Sequence, residues 1–189
     1  MTQPANPTPA PAQPPPRTPT PPPILVVMGV SGCGKSTVGR QLADALGLPF
    51  LEGDDFHPAE NVERMAAGIA LTDADREGWL RTLAERISAA AGQGAGLVLS
   101  CSALKRRYRD MLREGSADLR FVYLHGAPDV LARRMAQRTR HYMPPSLLDS
   151  QLATLEPPAP DERALAFDLQ LPTHVVVATV ISALTPNAP

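Results

Sequence analysis

The chain has 189 residues, of which 43% are hydrophobic and 20% are charged, and its formal net charge is −1. A chain of this length can form one domain with a substantial core, and its near-neutral charge provides no electrostatic attraction for nucleic acid or an anionic membrane. No apolar run approaches the roughly 20 residues of a transmembrane helix, and the amino terminus lacks the basic and apolar regions of a secretory signal. We therefore expect no nucleic-acid or membrane partner. Two cysteines do not make a disulfide framework, so we expect a reducing, cytoplasmic compartment.

Residues 1–23 differ in composition from the rest of the chain. They contain eleven of the 22 prolines and a single charged side chain, Arg17. Proline removes backbone donors and favours extended polyproline II, and nothing in this segment can form a core. We predict a disordered Pro-rich tail over residues 1–23 and a folded domain over residues 24–185. Recognition of the tail by a proline-binding partner is the alternative.

The first predicted strand, Ile24–Met28, runs directly into a glycine-rich loop, Gly29-Val-Ser-Gly-Cys-Gly-Lys-Ser-Thr37. A helix is predicted over Lys35–Leu46, so the spacing G-x-x-x-x-G-K-[ST] lies between a strand and a helix, as a phosphate-binding P-loop requires. The loop's N–H groups can surround an anion, Lys35 supplies a charge for the β- and γ-phosphates, and the Ser36 hydroxyl can ligate Mg²⁺. The predicted nucleotide-binding residues are Gly29, Val30, Ser31, Gly32, Cys33, Gly34, Lys35, Ser36 and Thr37.

Strands and helices alternate along the remaining chain. Further strands are predicted over residues 49–52, 97–101, 119–124 and 164–169, and helices over residues 58–65, 72–91, 104–113, 129–138 and 147–155. The segment Thr173–Leu184 has the valine and isoleucine content of a strand, but its place in the alternation favours a helix. This order predicts an α/β fold, in which a parallel sheet has helices on both faces and an active site at the carboxyl ends of its strands.

Polar residues follow several of these strands and should meet at that edge. Asp54 can orient an attacking hydroxyl and receive its proton, although a solvated or helix-capping carboxylate is the alternative. His57 can bond a substrate hydroxyl, with an ordinary loop histidine as the alternative. No strand ends in an unmistakable Mg²⁺-binding aspartate, so the ion would depend on Ser36, the phosphates and water, with Glu52 or Asp54 in its outer shell.

Arginine is far more common than lysine in this chain, which holds sixteen arginines but only two lysines, Lys35 and Lys105. Lys105 is therefore a candidate ligand, since a compact ammonium suits sites where a wide guanidinium fits poorly; a solvated lysine is the alternative.

Arg134 and Arg138 share one face of a predicted helix that precedes a proline-containing break. We predict a lid over about residues 134–150 whose two arginines neutralise charge on a transferring phosphate, against the alternative of a solvated basic helix.

Together these segments resemble the bacterial-type gluconate kinases, which are P-loop relatives of shikimate and adenylate kinases. The matching stretches are residues 29–37, 52–58, 73–80, 101–110, 112–115, 150–151 and 155–157, and the matching single positions are Asn61, Met65, Gly68, Leu71, Arg134, Arg138 and His141. The most specific are Glu52-Gly-Asp-Asp-Phe-His-Pro58 and Cys101-Ser-Ala-Leu-Lys-Arg-Arg-Tyr-Arg-Asp110, and the resemblance covers about residues 24–183. It implies a P-loop kinase fold with a five-stranded parallel sheet and a small helical lid. It also implies ATP and Mg²⁺ as cofactors, and transfer of the γ-phosphate to the 6-hydroxyl of D-gluconate.

The resemblance extends to three individual residues, since Asp54 is similar in position to the acidic substrate ligand of such kinases and Arg134 and Arg138 resemble their lid arginines; the other site residues follow from the phosphate-loop motif and the chemistry of gluconate. The predicted catalytic residues are Lys35, Asp54, Arg134 and Arg138. The predicted substrate-binding residues are Asp54, His57, Arg76, Trp79, Lys105 and Arg109. The three cations of the second set are candidates for the gluconate carboxylate and Trp79 for a wall, while surface salt bridges are the alternative roles of Arg76 and Arg109.

The chain also departs from the family pattern. Cys33 stands where the loop often has serine, Glu52 stands where relatives often carry aspartate, and the Pro-rich extension has no counterpart. A disulfide between Cys33 and Cys101 is an alternative to two reduced thiols, and a homodimer is expected from the family alone.

Three other functions are compatible with parts of the sequence. The first is a kinase of another small hydroxy acid, such as shikimate. The second is a GTPase-type switch, since Asp75-Arg-Glu-Gly78 fits D-x-x-G, but no apolar strand precedes it and the chain has no N-K-x-D. The third is a non-catalytic nucleotide-binding module.

Deleting residues 2–22 should leave the turnover of ATP and the melting temperature nearly unchanged, because a segment without a core contributes little to a folded domain. A coupled ADP-release assay and a thermal melt of the truncated and full-length proteins test this. A large loss in either quantity would show that the tail belongs to the folded domain.

Overall fold

Five parallel strands form the sheet in the computed structural model, which describes residues 21–137 and 146–184. The strands are β1 (Ile24–Met28), β2 (Phe50–Glu52), β3 (Leu97–Ser100), β4 (Arg120–His125) and β5 (Leu165–Asp168). Their order is β2-β3-β1-β4-β5, and every pairing is parallel. Because β1 is central and the chain leaves it to both sides, a crevice opens at its carboxyl end.

Helices cover both faces of this sheet, as predicted. Within the described residues they are α1 (Lys35–Leu46), α2 (Ala59–Ala66), α3 (Asp73–Gly92), α4 (Arg106–Arg113), α5 (Pro128–Ala136), α6 (Ser146–Thr154) and α7 (Thr173–Leu184). Helices α1 and α7 pack together on one face, and α3 and α4 pack together on the other. None of the helices described is both long enough and apolar enough to cross a membrane.

Burial explains the strongest of these elements. Residues 25–28 of β1 have no exposed surface, as a strand covered on both faces requires. The last segment is a helix rather than a strand, since Val176, Val177 and Val180 are buried while Val175 is exposed. That spacing follows a helical face, so packing against α1 outweighs the β-propensity of the valines.

Some predicted boundaries differ from those observed. α4 begins at Arg106, two residues later than predicted, because its N-cap, Lys105, has an extended backbone with φ −99° and ψ 151°. The short 3₁₀ turns Gly53–Phe56 and Pro160–Glu162 were not predicted. Arg138 and residues 139–145 of the predicted lid lie outside the described residues. Of the predicted tail only residues 21–23 are described, and the Pro23 carbonyl accepts a hydrogen bond from the Leu97 N–H at 3.1 Å, so Pro23 already belongs to the folded domain.

One predicted substrate ligand is a structural residue instead. Arg109 has no exposed surface, and its Nε and Nη2 donate to the two carboxylate oxygens of Glu162 at 2.6 and 2.7 Å. Its Nη1 donates to the carbonyls of Ala103, Leu104 and Glu156. The prediction that Arg109 binds the substrate is therefore wrong, because the side chain is buried and each of its three nitrogens donates to a group inside the protein. The alternative role of Arg109, a surface salt bridge, is also wrong, because its bidentate ion pair with Glu162 is buried.

Glu162→Gln should lower the free energy of unfolding by about 3–5 kcal/mol, because it leaves the Arg109 guanidinium buried without a counter-charge. The hydrogen bonds from Arg109 lower the pKa of Glu162 from 4.5 to about 2. The folded state therefore holds the carboxylate ionised at a pH where the unfolded chain takes up a proton. The pair stabilises the protein above pH 4.5, and this stability is lost as the pH falls toward 2.

Urea unfolding at several pH values measures both effects. Asp161→Asn is the matched control, because Asp161 is the neighbouring residue but pairs with Arg106 on the surface, where such a pair contributes about 1 kcal/mol or less. Equal losses in the two variants would contradict the assignment of a buried, stabilising pair.

Candidate active site

The phosphate loop is fixed by the strands on either side of β1. The Gly29 N–H donates to the Ser102 carbonyl beyond β3 at 3.3 Å. Gly29 has a φ of 139°, and a Cβ there would lie 2.4 Å from the Leu124 carbonyl oxygen of β4. No other residue fits this position, so the loop is held between the ends of β3 and β4.

The amino terminus of α1 is built to receive an anion. Its N-cap, Gly34, supplies no side-chain cap, so the first N–H groups of this 12-residue helix have no side-chain acceptor from that position. Lys35 crosses the loop, and its Nζ donates to the Val30 carbonyl at 3.2 Å. Ser36 and Thr37 follow in the first turn, with Ser36 half-buried and Thr37 exposed. Backbone donors, one ammonium and a hydroxyl are the groups that a triphosphate with Mg²⁺ needs.

The residues present fit a magnesium ion held mainly through the phosphates. The described residues contain no cluster of three histidine, cysteine or acidic side chains that could hold a metal alone. The Glu52 carboxylate accepts a hydrogen bond from the buried Ser100 hydroxyl, which orients it after β2. Ser36 is therefore the protein group suited to bind the ion directly.

A cavity of about 330 Å³ opens beside the loop on the β4–β5 side. Loop and α1 residues form one wall, and residues 168–173 with Arg134 form the other. The Arg134 Nη2 donates to the Leu169 carbonyl at 2.9 Å, so the guanidinium is held at this wall. A flat cation at a cavity next to a phosphate loop suits a nucleotide base. The predicted catalytic role of Arg134 stays a prediction, and Arg138 lies outside the described residues.

The acceptor side lies across β1, where Asp54 stands in the turn after β2. A Cβ at Gly53 would lie 2.2 Å from the Ser100 carbonyl oxygen, so this glycine allows the turn to pack against β3. The Trp79 Nε1 donates to the Gly53 carbonyl at 2.8 Å, and the His57 ring stacks on the indole with centroids 4.1 Å apart. Trp79 is only 2% exposed. It therefore supports the site from behind His57 rather than forming the wall itself.

His57 is neutral in the folded protein. Burial lowers its pKa from 6.5 to about 4; the nearby Asp54 carboxylate opposes this shift, and Arg76 adds to it. Its Nδ1 is buried and has no hydrogen-bond partner among the described residues. A neutral imidazole recognises a hydroxyl rather than a negative charge, which agrees with the predicted contact to a substrate hydroxyl.

A cationic cluster lies beyond His57, and Asp73 is at its centre. The Asp73 carboxylate accepts hydrogen bonds from Lys105 Nζ at 2.9 and 3.0 Å, from Arg107 Nη1 at 2.9 Å and from the Tyr108 hydroxyl. The hydrogen bonds from Tyr108 and then Lys105 lower the pKa of Asp73 to about 2. Arg76 lies over the Tyr108 ring at 5.8 Å and donates to the Leu71 carbonyl. Two cations thus contact the Asp73 carboxylate and Arg76 lies beside them over Tyr108, so the positive charges of this cluster outnumber its central carboxylate.

The sequence prediction missed several residues of this region. Asp73, Arg107 and Tyr108 were not proposed as site residues, although all three lie in stretches that carried the family resemblance. Gln151 was also missed: its Oε1 accepts a hydrogen bond from the Ser31 N–H of the phosphate loop at 2.7 Å. Only spatial proximity reveals these roles, since Gln151 is 120 residues away from Ser31 in the chain.

The His57 imidazole should titrate near pH 4, well below the usual 6.5, in a histidine NMR titration of the four histidines. His57→Gln identifies the signal by removing it. Because the unfolded chain takes up this proton near pH 6.5 and the folded chain only near pH 4, wild-type stability should rise with pH across that window more steeply than in the variant. A midpoint at or above 6.5 would contradict the buried, neutral assignment.

Comparison with known proteins agrees with this geometry. The chain matches the family model described as shikimate kinase over residues 31–165. It is 47% identical over 157 residues to a gluconokinase of Gluconobacter oxydans (strain 621H), covering 83% of this chain and 88% of that protein. It is 45% identical over 172 residues to a probable gluconokinase of Xenopus tropicalis, covering 83% of this chain and 90% of that protein.

A solved structure extends the similarity to three dimensions. The gluconokinase from Sinorhizobium meliloti 1021 is 50% identical and superposes with a TM-score of 0.78, covering 86% of this chain and 91% of that chain. The predicted P-loop kinase fold and the family resemblance are thereby confirmed. At this identity and coverage, the chain belongs to the gluconokinase family of P-loop kinases.

Proposed function

We propose that this protein is an ATP-dependent gluconokinase that transfers the γ-phosphate of ATP to the 6-hydroxyl of D-gluconate, giving 6-phospho-D-gluconate. The observation that carries this proposal is the arrangement around β1. A phosphate loop follows β1 itself, and a turn bearing Asp54 and His57 packs against the end of the adjacent β3. The gluconokinase relatives, at 45% and 47% identity, favour gluconate over shikimate as the acceptor.

The nucleotide would extend from the cavity onto the phosphate loop. The base and ribose would occupy the space near Arg134, and residues 29–37 would hold the phosphates. Ser36 would hold Mg²⁺, which supplies charge compensation between the β- and γ-phosphates when bound. Lys35 adds a positive charge that offsets the negative charge developing on the phosphoryl group in transit.

Asp54 would orient the acceptor hydroxyl. The 6-oxygen of gluconate forms a bond to the γ-phosphorus while the bond between that phosphorus and the β–γ bridging oxygen breaks, and ADP leaves with the electron pair. The hydroxyl proton passes to the Asp54 carboxylate. The neutral His57 would donate or accept a hydrogen bond with a neighbouring hydroxyl of the sugar acid.

The carboxylate of gluconate would meet the cationic cluster. Lys105 is the candidate with a compact charge, and its side chain is 27% exposed. Arg76 is the other remaining candidate, since Arg109 is buried in its own ion pair. The net positive charge around Asp73 attracts an acidic acceptor and offers nothing comparable to a neutral sugar.

The other functions receive less support. Asp75 forms a capping box with Thr72 at the start of α3, so the D-x-x-G motif is part of a helix cap rather than a GTPase switch. A non-catalytic module would not need Asp54 near the phosphate loop. A homodimer remains a proposal that rests on the family alone. A cytoplasmic location remains a proposal as well, supported by Cys33 and Cys101, which are buried and form no disulfide.

A coupled ADP-release assay with D-gluconate, shikimate and no acceptor tests the function. We expect kcat/KM for gluconate to exceed that for shikimate by orders of magnitude, and ADP release with gluconate to exceed the blank. Lys35→Met should lower kcat by about 10²–10³-fold, because an electrostatic contact to the transition state is lost. Gluconate-independent ADP release alone would overturn the substrate assignment.

Asp54→Asn should lower kcat by about 10²–10⁴-fold with a smaller effect on the KM for ATP, because only proton transfer and alignment are removed. Asp55→Asn is the matched control, since Asp55 is the next residue in the same turn but is exposed. If the two variants were equally active, Asp54 would not be the acceptor-aligning carboxylate.

A further inference from the structure

Gln151 joins α6 to the phosphate loop. The Ser31 N–H donates to the Gln151 Oε1 at 2.7 Å, and Ser31 is only 6% exposed. A backbone N–H can only donate, so the carboxamide oxygen must be the atom that faces it. The third residue of the phosphate loop is thus held by a side chain from a helix that is distant in sequence.

The same helix contacts the acceptor side of the crevice. Leu147, one turn before Gln151, forms a buried apolar cluster with Met65 of α2 and Leu71 of the connection between α2 and α3. The Leu71 carbonyl accepts a hydrogen bond from Arg76, a candidate ligand of the substrate carboxylate. One continuous set of contacts therefore runs from Arg76 through Leu71 and Leu147 to Gln151.

The carboxyl end of α6 is anchored. The Glu156 N–H donates to the Leu104 carbonyl at 2.8 Å, and the Glu156 carbonyl accepts from Arg109 at 3.0 Å. The Glu156 carboxylate accepts from the Arg106 N–H at the start of α4 at 2.7 Å. Leu147 and Gln151 are thus one turn apart on a short helix whose carboxyl end is anchored, so the two side chains share one packed element.

We propose that Gln151 is a positioning residue that couples occupancy of the acceptor site to the geometry of the phosphate loop. This inference rests on the proposed function, since it requires gluconate and a nucleotide to bind the two ends of this contact path. Binding of gluconate near Arg76 favours the position of α6 in which Gln151 holds the Ser31 peptide. Gluconate and Mg–nucleotide then bind cooperatively, and the cooperativity passes through Gln151.

Titration calorimetry of Mg–ADP, with and without saturating D-gluconate, measures this coupling directly. We expect gluconate to tighten Mg–ADP binding to the wild type by about tenfold, within the usual range of coupling between two sites. Gln151→Met keeps the length of the side chain but removes the acceptor, so the ratio should fall to about one. Its KM for ATP at saturating D-gluconate should rise by up to about tenfold, because the tightening of nucleotide binding by gluconate is lost, and its kcat should change by a smaller factor.

Gln151→Glu is the conservative variant, because a carboxylate oxygen can still accept from the Ser31 N–H. Its negative charge near the phosphates should weaken Mg–ADP binding equally in the two titrations, leaving the ratio close to that of the wild type. Thr154→Val is the control within α6, since the Thr154 hydroxyl donates to the Ser150 carbonyl of its own helix. A structural role of Gln151 would lower the melting temperature without changing the ratio.

The proposal is overturned if Gln151→Met keeps the wild-type ratio, if the wild type shows no coupling, or if Thr154→Val abolishes the coupling to the same extent. It is also overturned if Gln151→Glu loses the coupling as completely as Gln151→Met. A wild type that phosphorylates gluconate in any of these cases leaves the proposed function intact. A wild type that releases no ADP with gluconate overturns the proposed function, and this inference with it.

Discussion

The structure depends on holding a curved stretch of backbone N–H groups in place without side chains inside the curve. The phosphate loop meets this constraint because the strands flanking β1 fix its two margins. Gly29 is tied to Ser102 beyond β3 and lies so close to the Leu124 carbonyl of β4 that a side chain is excluded. The anion-binding donors are therefore preorganised by the sheet, and the buried core of β1 indirectly stabilises the site.

On the acceptor side, the surroundings of two residues fix opposite charge states: His57 is kept neutral and Asp73 is kept ionised. Burial against Trp79 keeps His57 neutral, whereas hydrogen bonds from Tyr108 and Lys105 keep Asp73 ionised. A neutral hydrogen-bonding group and a cationic cluster are the two features that a polyhydroxylated acid requires. Neither property belongs to the residue type alone, because both pKa values depend on which neighbours the fold supplies.

Electrostatics also builds the scaffold. The buried pair of Arg109 with Glu162 joins α4 to the segment after α6, and Glu156 adds a second link between the same elements. Through this anchor α6 is held against both the phosphate loop and the α2–α3 connection. Arg76 and Arg134 therefore lie at the crevice, whereas Arg109 positions the helices around it. That division explains why Arg109, adjacent to site residues in sequence, binds no substrate.

The sequence by itself determined the alternation of elements, the phosphate loop and the position of Asp54 after β2. These features follow from local rules: apolar periodicity, glycine spacing and the shared edge of parallel strands. Only the tertiary structure decided which cations remain available to a ligand, that Trp79 lies behind His57, and that Gln151 reaches Ser31. The reason is physical, since pairing and burial depend on contacts between residues far apart in the chain, and a linear pattern carries no information about whether a charge has already found its partner.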